Sequence, residues 1–207
     1  MRTYDNTKIE EIISRYKKPY KKKKDAWVQH CLCQNSLKEV IRVAAQCADD
    51  GNLIHPHQKR LGRERLKMLA LELLEYEDEI SQARHFDNLL NIINRTRHRV
   101  IGKQTNYEIA FRIGCYLKLY PDRIYLHAGT HQGALNLMGK LPRNSFLVIS
   151  ELPQPFHRSD LEPWEIIEIL SIYKDKWQGC LVETYLASGT YHPQHAFDLH
   201  GNGVCYL

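Results

Sequence analysis

Apolar residues recur at intervals of three and four through the first half of the chain, the spacing of helices with one buried face. Ile9, Ile12, Ile13 and Tyr16 share one side of a first helix, with Thr7 and Glu10 as a capping box at its start and Pro19 as its stop. Asp25 is placed to cap a short second helix carrying Trp27, Val28, Cys31 and Leu32. Ser36 with Glu39 repeats the capping box ahead of Leu37, Val40, Ile41 and Ala44. The stretch "ADDGNLIHPHQKRLG", Ala48 to Gly62, has an Asp-Gly turn, a proline and no helical period, so it reads as a long loop. A fourth helix is expected from Arg63 to Ile80 on Leu66, Leu69 and Leu73, and a fifth from Phe86 to Thr96 on Leu89, Leu90, Ile92 and Ile93.

The second half is less regular. Thr105 and Glu108 read as the capping box of a helix whose inner face is Ile109, Ala110, Ile113 and Leu117. A short apolar run at Ile124 to Leu126 follows a proline turn, and the next helix has Thr130 as its expected cap and Gly139 as its end. "SFLVISELP" fits a strand or one more helical turn, because so short an apolar run has no diagnostic period. Pro163 opens a helix, "PWEIIEILSIYKDKW", whose apolar residues nearly encircle it, with Gly179 beyond its end. After Cys180 the chain turns rich in Gly and His, with a short strand expected around Val182 to Leu186. The expected fold is mainly α: a compact multi-helix domain with a few short irregular or extended segments. It divides into a basic N-terminal helix and linker (1–24), a helical core (25–179) and an irregular tail (180–207).

Composition narrows the class. A chain of 207 residues, 43% hydrophobic and 26% charged, can bury a substantial core and does not resemble a disordered sequence. No apolar run reaches the ~18 to 20 residues a membrane span needs, and the N-terminus lacks the apolar core of a secretory signal, so a cytoplasmic location without membrane attachment is expected. The six cysteines lack the spacing of a disulfide framework and read as reduced thiols. The net charge of +5 is concentrated: residues 1–24 carry nine Lys and Arg against three acids. Lys21, Lys22, Lys23 and Lys24 form a run able to contact phosphates without sequence preference, or simply a solvated linker.

"HRVIGKQTNYEIAFRIG", His98 to Gly114, joins the fifth helix to the next through a basic turn. Residues 86–117 resemble the helix-hairpin-helix element of DNA glycosylases and other DNA-binding proteins, with Val100 standing where the first hairpin glycine usually lies. The resemblance implies a turn whose backbone N–H groups, with the following helix N-terminus, receive a phosphate. Mapped onto this chain, the contacts fall on Gly102, Lys103, Gln104 and Thr105, aided by Arg97 and Arg99. An ordinary helical corner with solvated arginines is the plain alternative.

Three other clusters carry candidate chemistry. Cys31, Cys33, Cys47, His55 and His57 are zinc-ligand types, but their spacing lacks the two-residue gap of zinc ribbons, so no metal is assigned. "HAGTHQGA" sets His127 and His131 around a glycine-rich helix start, where an imidazole can hold an anion or act as a general base. Glu162, Glu165 and Glu168 recur at helical spacing, a possible magnesium set or, more simply, a solvated acidic face. The leading expectation is DNA or RNA binding through phosphate contacts, with no cofactor. The alternatives are a metal-dependent hydrolase or nuclease using His127, His131 and Glu165 with a divalent metal, and a protein-interaction module without catalysis.

Overall fold

The computed structural model describes residues 3–17, 26–46, 54–55, 58–95 and 101–182. The fold is mainly helical, as the periodicity predicts. In order the elements are β1 (Thr3–Tyr4), α1 (Asn6–Lys17), α2 (Ala26–Leu32), α3 (Leu37–Gln46), a 3-10 turn (Lys59–Leu61), α4 (Arg63–Leu74), α5 (Glu77–Ser81), α6 (Phe86–Asn94) and α7 (Lys103–Leu117). There follow β2 (Ile124–Tyr125), α8 (Ala128–Met138), β3 (Phe146–Leu147), two 3-10 turns (Ile149–Glu151 and Gln154–Phe156), α9 (Pro163–Ile172), a last 3-10 turn (Lys174–Lys176) and β4 (Leu181–Val182).

α7 is the central member. It packs on α2, α3 and α6, while α3 also packs on α4, and α8 lies against α9. Phe111 of α7 meets Trp164 of α9 with ring centroids 5.7 Å apart, joining the two groups of helices over a single buried cluster. α1 belongs to that cluster: Ile9, Ile12, Ile13 and Tyr16 are buried, and β1 pairs antiparallel with β4, Thr3 opposite Val182 and Tyr4 opposite Leu181. The second antiparallel pair sets Ile124 opposite Leu147. Among the described residues no helix is long and apolar enough to cross a membrane.

Local signals for where helices begin were weaker than those for which face they bury. Ser36 caps α3 as expected, its Oγ accepting from the Glu39 N–H at 3.3 Å. α1 starts earlier than the Thr7–Glu10 box implies, because Asp5 Oδ1 takes the Lys8 N–H at 3.0 Å. α7 starts at Lys103 with Gly102 as its cap, which leaves Thr105 buried within the first turn. Likewise His127 occupies the cap of α8, and Thr130 lies inside it with its hydroxyl directed to the Ile167 carbonyl at 3.4 Å. Thr105 and Thr130 took buried positions instead of the local N–H, whereas Thr7 stays exposed in the first turn of a helix that Asp5 caps.

The helix expected over Arg63 to Ile80 is two helices. The N–H groups of Glu75 and Tyr76 bond to the carbonyls three residues back, tightening the last turn of α4, and Tyr76 then caps α5. "SFLVISELP" contains both alternatives, a two-residue strand followed by a 3-10 turn. α8 and α9 approach backbone to backbone: a Cβ built on Gly133 would lie 1.9 Å from the Leu170 carbonyl oxygen. Of the tail strand, Leu181 and Val182 are described; Pro19, Asp25 and residues 183–207 lie outside the described part.

Candidate functional site

The amino end of α7 is held by a buried polar cluster centred on Glu108. The Gln58 side-chain amide donates to Glu108 Oε2, and the Gln104 amide donates to Oε1 at 3.0 Å. Arg112, one turn further along α7 and almost fully buried, sits 3.9 Å from the same carboxylate, as does His55 Nδ1. The His55 ring in turn rests edge-on against Trp27 of α2, with centroids 4.4 Å apart. Gln58 is itself fully buried. A carboxylate that accepts amide N–H groups from two directions ties the segment ahead of α4 to the first turn of α7.

That tie has an electrostatic consequence. Lys59 and Arg60 directly follow Gln58, and Lys103 directly precedes Gln104, so the two basic segments are linked through side chains at one carboxylate. Lys59, Arg60 and Lys103 are exposed and make no ion pair among the described residues. Residues 59–67 hold five Lys and Arg against one Glu. Two helices begin here with glycine caps, α4 after Gly62 and α7 after Gly102, and neither has a side-chain cap. A Cβ added at either glycine would meet nothing within 4 Å. Two glycine-capped helix starts, each carrying partial positive charge, therefore lie within three residues along the chain of Lys59, Arg60 or Lys103. No protein-family model, no curated protein and no solved structure matches this chain. Its function is therefore argued from this geometry alone.

The residues expected from sequence divide unevenly. Gly102 and Lys103 are exposed at the start of α7. Gln104 is half-buried and committed to Glu108, and Thr105 is 4% exposed, so the contacts the hairpin resemblance implies at these two positions fall to their backbone N–H groups. Arg97, Arg99 and Lys21 to Lys24 lie outside the described residues. Sequence reasoning passed over Lys59 and Arg60, although the charge run "KRLGRERLK" was visible; nothing local linked it to α7.

The other clusters are interior. His127 and Glu165 are 8% and 1% exposed, and His131 alone of the three hydrolase candidates faces solvent. The His127 ring lies 4.9 Å from that of Tyr107, and Glu165 accepts the Glu162 N–H at 2.9 Å. Glu168 accepts a 2.5 Å bond from Tyr16. Of the acidic face expected to be solvated, Glu165 is buried and Glu168 half-buried, each carboxylate accepting a hydrogen bond, while Glu162 is exposed. Burial first, and then Glu168, push the Tyr16 and Tyr107 phenols well above their ordinary value. Among the described residues no group of three or more His, Cys, Asp and Glu could hold a metal ion. Of the zinc-ligand types, Cys31 is buried in α2, Cys33 is exposed just beyond it, and His55 belongs to the Glu108 cluster, while Cys47 and His57 are not described.

Proposed function

We propose that the protein binds nucleic acid through phosphate contacts at the paired starts of α4 and α7. The observation that carries this reading is the Glu108 cluster, which ties the segment bearing Lys59 and Arg60 to the helix that Gly102 and Lys103 open. Lysine heads act there as point charges, the Arg60 guanidinium can fork onto phosphate oxygens, and the glycine caps let a phosphate approach the backbone donors. Such contacts position a strand without reading its bases. The Lys21 to Lys24 run adds non-specific attraction.

The test is a fluorescence-anisotropy titration of labelled single-stranded and duplex DNA and RNA between about 50 and 200 mM salt, the range over which phosphate contacts lose most of their affinity. Lys103→Glu and the double change Lys59→Glu with Arg60→Glu should each weaken binding alike across sequences. Each lost phosphate contact should lower the salt slope by about one. Unchanged affinity in both variants removes the proposal. The basic run is tested by replacing Lys21 to Lys24 with Gln; deleting residues 1–24 would instead remove α1, whose Ile9 and Ile13 are fully buried in the core. Met68 and Leu71, 53% and 60% exposed one turn apart on α4, favour a protein partner as the second reading. That reading gains if nucleic-acid binding vanishes near physiological salt.

A further inference from the structure

At the opposite end of α7 a cleft of about 560 Å3 opens between the start of α6 and the turn leading into β2. Arg84, His85, Asp87, Lys118, Tyr120 and Arg123 are among its lining residues. Its charges are sorted. Asp87 accepts from the Tyr125 hydroxyl and pairs with Arg123 at 3.1 Å, and Arg123 also bonds Asp122 at 3.0 Å. Arg84, His85 and Lys118 are exposed and have no ion pair among the described residues. The unneutralised charge of the cleft is therefore positive. Beside it Tyr120 stands 54% exposed, an aromatic face with no ring partner among the described residues.

Lys118 adds a separate observation. It is the single non-glycine residue at positive φ among the described residues, with φ 60° and ψ 31°. It turns the chain out of α7 so that the Leu119 N–H reaches the Gly114 carbonyl at 2.8 Å. Glycine fits that helix-ending position without strain, and asparagine nearly so. A lysine stands there against its backbone preference, and its side chain lines the cleft.

We infer that this cleft binds a nucleoside phosphate, with Arg84 and Lys118 on the phosphate and Tyr120 stacked on the base. Cations supply the anion contact, and an exposed aromatic ring offers a sequence-tolerant stacking platform. The ligand is either a free nucleotide or the phosphorylated end of a strand. The site is independent of the phosphate contacts proposed above. It uses neither Lys103 nor the 59–67 run, and the length of α7, roughly 22 Å at 1.5 Å per residue, separates the two.

The test is isothermal titration of the full chain with adenosine 5′-monophosphate, inorganic phosphate and adenosine, and with an adenylyl dinucleotide carrying or lacking a 5′-phosphate. The monophosphate should bind at least tenfold more tightly than either of its parts. Lys118→Gly should lower that affinity tenfold or more while raising the melting temperature, a combination that a purely structural lysine does not produce. Tyr120→Ala should reduce the monophosphate to the affinity of inorganic phosphate. Equal binding of the dinucleotide with a 5′-phosphate assigns a strand end; preference for the monophosphate assigns the free nucleotide. No binding at millimolar monophosphate, equal affinity for monophosphate and phosphate, or full affinity in a folded Lys118→Gly protein each overturns the inference.

Discussion

Replacing Glu108 with Ala is the sharpest probe of the site, because stability should fall and binding should move in a direction that simple electrostatics opposes. The carboxylate accepts from Gln58 and Gln104 and lies 3.9 Å from both His55 and the buried Arg112. A hydrogen bond to a charged group contributes about 1.5–3 kcal/mol, and weakening the charge pair with Arg112 adds to that loss. The Glu108 side chain keeps 18% exposure, so water softens both effects. Alanine also recovers a few tenths of a kcal/mol in helix propensity. A net loss of about 3 kcal/mol follows, which at a urea slope of about 2 kcal/mol per molar moves the unfolding midpoint down by roughly 1.5 M. Glu108→Gln keeps one acceptor oxygen and should lose about half as much.

The binding assay then separates two ideas by sign. Removing a negative charge from a phosphate-binding surface raises affinity for a polyanion by Coulomb attraction alone. If Glu108 instead holds the 59–60 segment against α7, Glu108→Ala lowers affinity under conditions where the variant is still folded. Measured by anisotropy below the unfolding transition, a rise in affinity, or a stability loss under about 1 kcal/mol, refutes the positioning role.

The remaining expectations concern packing, the helix end and pH. Gly133→Ala should cost at least about 2–3 kcal/mol by chemical denaturation, because its Cβ would meet the Leu170 backbone oxygen at 1.9 Å and two helices must separate. Gly129→Ala is the control: its Cβ would meet Ser171 Oγ at 2.3 Å, a side chain that can turn away, so it should cost under about 1 kcal/mol after the helix-propensity gain. Lys118→Gly should stabilise the fold by about 0.5–1 kcal/mol in a thermal melt, the left-handed strain relieved less the added chain entropy of glycine. Tyr16, Tyr107 and Tyr125 are all raised, chiefly by burial, so the folded state holds their protons more tightly than the unfolded chain does. Their contribution is complete below pH ~10 and declines above it, so these three phenols should add their tyrosinate absorbance only together with loss of helical signal. Ionisation of these phenols ahead of unfolding would contradict their burial.

The sequence by itself determined the helical class and the buried stripes, such as Ile9, Ile12, Ile13 and Tyr16 on α1 and Leu89, Ile92 and Ile93 on α6. Those patterns are local: a period of 3.6 residues sets which side chains share a face whatever the helix later packs against. Helix starts were less legible, because Thr7, Thr105 and Thr130 satisfy the capping pattern, yet Asp5, Gly102 and His127 occupy the relevant positions. A cap is a competition between nearby groups: Asp5 took the N–H ahead of Thr7, and burial drew Thr105 and Thr130 inside their helices. The candidate site lay further from view. Gly102 and Lys103 were read from their turn, but the segment of Lys59 and Arg60 is tied to α7 through one half-buried carboxylate, Gln58 and Glu108 lying 50 positions apart in the chain. The inward turn of Glu165 and the approach of α8 to α9 at Gly133 were likewise settled by tertiary structure, since each depends on partners that no periodicity along the chain encodes.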